Sequence, residues 1–174
     1  VAHALTIAYR AALPADGPAL SAMAKRAFTD TFGSLYRASD LAAFLDRTFG
    51  ADGLPSQLDD PDYTVRLACE GDTIAGFIKL GPVDFPGDWD AGAIELHQLY
   101  VLGRWQGEGV APVLMDWAIV TARAQGATQM LLSVFVENVR AQRFYARYGF
   151  REVGRYEFRV GDQIDDDRIW SLDL

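Results

Sequence analysis

The sequence predicts an α/β protein in three layers, a central mixed and mostly antiparallel sheet with helices on both faces. Three observations carry this. Apolar residues recur at two-residue and at three- to four-residue steps in the order βααβββαβαββ. The strand–helix–strand unit at 93–135 requires one parallel pair, because parallel neighbours need a crossover. The turn dipeptides Gly71-Asp72 and Gly161-Asp162 join other neighbouring strands directly, as antiparallel hairpins. A chain of 174 residues with no linker, internal repeat or low-complexity tract fits a single domain, 1–174.

Taken in order, Leu5–Arg10 (LTIAYR) alternates apolar and polar residues and reads as the first strand. Pro14 and Asp16 open a helix whose Leu20, Met23, Ala24, Ala27 and Phe28 fall on one buried face. Ser39 or Asp40 caps a second helix, with Leu41, Phe44, Leu45 and Phe49 on one side and Gly50 at its end. Ala51–Pro61 is a loop, and Tyr63–Glu70 with Thr73–Leu80 is a hairpin. Gly81–Gly92 is a second loop, placed to lie over a site. Ala93–Leu102 is a strongly apolar strand, Gly109–Gln125 a helix stopped by Gly126, and Gln129–Phe135 a strand. Asn138–Tyr148 is a helix stopped by Gly149. Phe150–Val160 and Arg168–Leu172 are the closing strands, and Asp165-Asp166-Asp167 between them reads as a solvated turn.

Composition sets bounds. Half of the residues are apolar and 23% are charged, which is ordinary for a soluble globular protein. No apolar run approaches the ~20 residues of a membrane span. The opening VAHALTIAYRAALP lacks the basic start and apolar block of a signal peptide, and a first residue other than Met reads as trimming. The single Cys69 excludes an internal disulfide, and one cysteine with two histidines excludes a Cys/His zinc cluster, so no metal is expected. The cytoplasm is the expected compartment. A net charge of −8 argues against sequence-independent binding to nucleic acid. It speaks first to solubility and also suits a cationic small ligand.

The most informative stretch is YVLGRWQGEGVAPVLMDWA, 100–118, where an apolar strand runs through glycines straight into a helix. Gln106-Gly107-Glu108-Gly109-Val110-Ala111 sits at that junction. A first helical turn leaves N–H groups without partners at the positive end of the helix dipole. Glycines let an anionic oxygen approach them, which makes a phosphate seat. A nucleotide-hydrolysing loop needs Gly-Lys-Ser/Thr, and Gly109-Val110-Ala111 is not that. A dinucleotide fingerprint needs a third glycine where Pro112 stands. Spacing alone leaves a plain chain-reversing turn as open as a phosphate seat.

Gln106-x-x-Gly109-x-Ala111 after an apolar strand resembles the acyl-CoA-binding motif of the GCN5-related N-acetyltransferases. A second match, Asn138, Ala141 and Phe144-Tyr145 followed by Gly149-Phe150, resembles that family's other hallmark. The resemblance implies the family's acyl-CoA N-acyltransferase fold and acetyl-CoA as cosubstrate. It implies direct acetyl transfer to a primary amine, and homodimers as a form common in the family. Thr31-Phe32-Gly33, Asp40–Leu45 and Asp166–Leu174 further resemble bacterial diamine and spermidine N-acetyltransferases, so a polyamine or other small amine is the first-choice acceptor. A protein N-terminus, an amino acid, an antibiotic amine, or a non-catalytic acyl-CoA sensor are the alternatives. Pro112 and Glu108 depart from the family's pattern. Proline is tolerated in a first helical turn, and a carboxylate beside a diphosphate is unhelpful unless it points to solvent.

Acetyl transfer needs a neutral amine, donors for an oxyanion and a proton for the departing thiolate. The resemblance puts Tyr145 beside the thiolate as the acid, whereas Phe144 and Tyr148 on the same stripe read as core. Alternation places Glu95, His97, Leu99 and Val101 on one face of their strand, and Glu95 and His97 are the candidate bases. The backbone of Leu99, Tyr100 and Val101 is expected to pair with the pantetheine amides, and Tyr100 or Val101 to donate to the thioester oxygen. Gln106, Gly107, Glu108, Gly109, Val110 and Ala111 are the expected diphosphate seat, with Asn138 as a helix cap and cofactor contact. Arg104, Arg140, Arg143 and Arg147 offer charge to the phosphates, and the Asp165–Asp167 run is a second way to attract a polyamine.

Overall fold

The computed structural model describes residues 6–174. Among them, β1 (Ala8–Ala11), β2 (Thr64–Glu70), β3 (Thr73–Gly81), β4 (Ala93–Val101), β5 (Gln129–Phe135), β6 (Arg151–Val160) and β7 (Gln163–Asp173) form one sheet. Its order is β1-β2-β3-β4-β5-β7-β6. Only β4–β5 is parallel. Helices α1 (Gly17–Phe32), α2 (Ala38–Phe49), α3 (Val110–Ala124) and α4 (Val139–Arg147) cover it. This is the expected mixed, three-layer α/β architecture, and no described helix is long and apolar enough to cross a membrane. Leu5, the expected start of the first strand, lies outside the described residues.

The two faces are told apart on β4. The Tyr100 ring packs on Phe49 of α2, with centroids 6.1 Å apart. On the other face a Cβ at Gly76 would lie 3.1 Å from Val101 and 3.3 Å from Val110 of α3. A glycine in β3 therefore lets α3 sit close to the sheet. On the α1 face, Phe28 is the hub of an aromatic cluster with Phe32, Tyr36, Phe44, Phe49 and Phe158. Its partners come from α1, α2 and β6, so this one side chain ties three elements together; truncating such a residue costs about 3–5 kcal/mol.

Three local expectations change. Helix α2 starts at Ala38 with Arg37 in the capping position, so Ser39 and Asp40 lie inside its first turn. Asp40 there forms an ion pair with Arg37 at 3.1 Å. The 51–61 loop contains a 3-10 turn, Leu54–Asp59, whose Leu54 is buried. The last strand is much longer than 168–172 and begins at Gln163, so Asp165-Asp166-Asp167 is strand and not turn. Pairing with both β5 and β6 overrides the low strand propensity of aspartate.

Candidate active site

The parallel ladder between β4 and β5 is short: Ala93 with Gln129, Ile94 with Met130, Glu95 with Leu131. Beyond it β4 stays with β3, and β5 stays with β7. The sheet therefore opens at its centre. A cavity of about 1020 Å³ fills the opening and runs from the starts of α3 and α4 through to α1 and β7.

Gly107 and Gly109 line the α3 side of this cavity. They have φ of 84° and 82°, a left-handed conformation that favours glycine. A Cβ at either would meet nothing within 4 Å, so the space over these amides is open. Val110 and Ala111 begin α3, where N–H groups have no intrahelical acceptor, and Pro112 has no N–H to leave unpaired. Trp105 Nε1 is buried without an acceptor and Trp105 lines the same cavity. Together these unspent donors fit an anion such as a diphosphate. Glu108 does not join them: its N–H donates to Trp105 O at 3.3 Å and it is absent from the cavity wall.

Leu102 N donates to Ala75 O at 2.9 Å, so by alternation Tyr100 turns its backbone to β3, and Leu99 and Val101 turn theirs to the gap. The Val101 carbonyl confirms the direction by accepting from Gln106 Nε2 at 2.9 Å. Gln106 Oε1 in turn accepts from Arg140 at 2.6 Å. The Tyr100 contribution is thus its ring, on the cavity wall. Asn138 caps α4, its Oδ1 accepting from Ala141 N at 3.2 Å. Arg140, Arg143 and Arg147 line the cavity, whereas Arg104 is held by Glu70 at 3.2 Å.

Tyr145 is 9% exposed and lines the cavity, packed on Phe144 and Phe150. Burial pushes its pKa well up, so the phenol keeps its proton at neutral pH. Phe144 and Tyr148, read as core, are only half-buried, and Tyr148 donates to Pro112 O at 3.3 Å.

The polar face of β4 is not as alternation predicts. The register skips a residue: Gly81 faces Glu95 and Leu80 faces Leu96, but Lys79 faces Gln98. His97 is the extra residue of a bulge. Glu95, Gln98 and Tyr100 therefore share a face, and Leu99 and Val101 take the other. His97 bends back to Glu95, Nδ1 to Oε1 3.3 Å. Its Nε2 lies 2.9 Å from the Pro82 carbonyl, which can only accept, so Nε2 carries the hydrogen. Nδ1 then faces a carboxyl oxygen, and a proton on Glu95 satisfies the contact. Burial supports this assignment, raising Glu95 to about 7 and lowering His97, with help from Lys79, to about 4. Glu95 Oε2 also accepts from Asp84 N at 2.8 Å. Pro82 and Asp84 of the 81–92 loop thus hold these two residues. Asp84, Glu95 and His97 bring ligand atoms within 4.8 Å of one another, the metal-like set among the described residues. The buried Lys79 charge that acts on Glu95 opposes a second cation there. His97 reaches the cavity wall and Glu95 stands behind it.

On the opposite wall the sequence marks the Asp165–Asp167 run, as a solvated turn or as a way to attract a polyamine. Phe28, Phe32, Tyr36 and Phe158 line that wall, and Asp165 and Asp167 point into it from β7. Both aspartates are buried. Asp165 accepts from the Tyr36 hydroxyl and, at 2.9 Å, from Gln163 Nε2. Asp167 interacts with the Ser133 hydroxyl. Gln98 Oε1, also on the cavity wall, is buried without a donor. The available signal was the alternation Asp165, Asp167, Ile169, Ser171, four buried residues two apart.

A centrally split mixed sheet, with a glycine-rich helix start on one side of the split, frames the site. Residues 23–150 match the Acetyltransferase (GNAT) family, and the chain belongs to it. An N-acetyltransferase of Mycobacterium tuberculosis is 32% identical over 91% of this chain and 98% of its own. A spermine/spermidine N(1)-acetyltransferase of Bacillus subtilis is 29% identical over 58% of this chain and 66% of its own. The crystal structure of PaiA N-acetyltransferase from Thermoplasma acidophilum in complex with coenzyme A superposes with a TM-score of 0.79 at 19% identity, covering 97% and 99% of the two chains. The protein is thus an N-acetyltransferase of the GNAT family.

Proposed function

We propose that the enzyme transfers acetyl directly from acetyl-CoA to the primary amine of a small cationic acceptor, a polyamine or a comparable alkyl amine. One observation carries the reading. A single cavity joins the open amides at the start of α3 to a wall of buried carboxylates and aromatic rings. The first end suits a diphosphate. The second suits an ammonium group, through charge and through cation–π contact.

In this arrangement Gly107, Gly109, Val110 and Ala111 donate to the diphosphate, and Arg140, Arg143 and Arg147 supply counter-charge. Leu99 and Val101 present gap-facing backbone groups that pair with the pantetheine arm as an added strand. In this reading the Val101 N–H donates to the thioester oxygen, and Tyr145 protonates the departing sulfur. The likeness to a spermine/spermidine acetyltransferase supports the acceptor class, as does the buried acidic wall.

An assay of released thiol with acetyl-CoA and an amine panel tests this. The reading requires turnover with diamines or polyamines and at least tenfold lower kcat/KM with amino acids, whose carboxylate meets Asp165 and Asp167. Preference for amino acids or for a peptide N-terminus would overturn the acceptor class. Acetyl-CoA binding without amine-dependent thiol release would overturn catalysis.

A further inference from the structure

The geometry points to Asp167 as the base that takes the proton from the acceptor amine, an assignment that rests on the acetyl-transfer reading above. Neither Glu95 nor His97 is free for that task. His97 has both ring nitrogens engaged, on Pro82 and Glu95, and Glu95 is held by Asp84 N behind the cavity wall.

Asp167 is differently placed. It sits on β7 opposite Phe135 of β5 and opposite Tyr156 of β6, beyond the point where β4 and β5 part. It is 7% exposed and lines the cavity. The groups that act on it are Ser133 from β5, Asp165 from its own strand, the outward-turned neighbour Asp166, Tyr156 from β6, Tyr100 from β4 and Tyr36 after α1. None of them is a cation. A buried carboxylate normally has a cationic partner. Here, among the described residues, that place is left to whatever enters the cavity, and an ammonium group has the charge it lacks. Burial, with the two neighbouring aspartates, raises Asp167 to about 7, close to the pH at which a general base works best.

The proton count closes. An alkylammonium gives one proton to the Asp167 carboxylate, and the freed nitrogen lone pair forms a bond to the thioester carbon. The carbon–sulfur bond breaks, and the thiolate takes the Tyr145 hydroxyl proton. The new amide nitrogen gives its surplus proton to the resulting Tyr145 phenolate. Asp167 releases its proton to solvent, so one proton leaves per acetyl group transferred.

The test is the pH dependence of kcat/KM for a diamine with wild type, Asp167→Asn and Glu95→Gln, with acetyl-CoA affinity measured by calorimetry on each. Wild type is expected to show an acid limb with a midpoint near pH 7. Asp167→Asn is expected to lose at least 100-fold at pH 7. Its residual rate should climb tenfold per pH unit without a plateau below pH 9, as free amine becomes available, with acetyl-CoA affinity within twofold. Glu95→Gln is expected to keep the limb. Asp167→Ala with added formate is expected to regain rate in proportion to formate, which a folding defect would not do. Asp167→Asn with a rate within threefold and an unchanged limb overturns the assignment, as does loss of the limb in Glu95→Gln. Wild type without thiol release for any amine would instead remove the acetyl-transfer reading beneath it.

Discussion

The two ends of the cavity are built on different principles. The α3 end is made of backbone: amides of a strand–helix junction, arranged by two left-handed glycines, Gly107 and Gly109, one residue apart. The β7 end is made of side chains from α1, the turn after it, β5, β6 and β7, brought together only by the finished sheet. In the proposed function, main-chain geometry that tolerates few residue types holds the diphosphate, and exchangeable side chains select the amine. On that reading the α3 end carries what the family shares, and the β7 end what sets the acceptor.

Substitutions should separate the two ends. The largest effect is expected from Gly109→Trp, which forces a bulky residue into a φ of 82° and fills the open space over the amides. Calorimetry should detect no acetyl-CoA binding, at least 100-fold weaker than wild type. Tyr145→Phe should lower kcat about 100-fold, the usual scale of general acid catalysis, with the acetyl-CoA KM within threefold. Equal kcat in wild type and variant would remove its acid role. Arg140→Ala should weaken acetyl-CoA binding about three- to tenfold, more at low salt, because a single exposed charge contributes modestly.

The smallest effect concerns stability at the β7 end. Asp167 is raised in the folded state above its ordinary value. Between about pH 4 and 7 the folded form therefore holds a proton that the unfolded form has lost, and ionising it as pH rises costs stability. Asp167→Asn removes that cost. The variant should melt higher than wild type at pH 8, by about 1 kcal/mol or 2–4 °C, and not at pH 4. A lower melting point at pH 8 would mean that the carboxylate is stabilised by a partner the geometry does not show.

The same contrast explains what was legible in the sequence. Helices α3 and α4, their glycine and asparagine signals, and the strand between them stand out because each rests on local chemistry. The β4 bulge was not legible. Nothing in Glu95-Leu96-His97-Gln98 marks an extra residue, which exists only because β3 stays paired on one side while β5 departs on the other. That slip moved Leu99 and Val101 to the opposite face from Glu95. The inward turn of Asp165 and Asp167 on β7 was hidden for a related reason. A run of three acidic residues reads as solvent-exposed, and only flanking strands show that alternate members turn inward.

The central claim is that main-chain amides at the start of α3 grip the diphosphate of coenzyme A. Backbone amide NMR of the isotope-labelled protein, titrated with coenzyme A and separately with pantetheine, tests it most directly. Gly107, Gly109, Val110 and Ala111 should shift strongly with coenzyme A and little with pantetheine, while Leu99 and Val101 shift with both. Shifts with coenzyme A that leave Gly107–Ala111 unmoved and cluster elsewhere on the protein would contradict it.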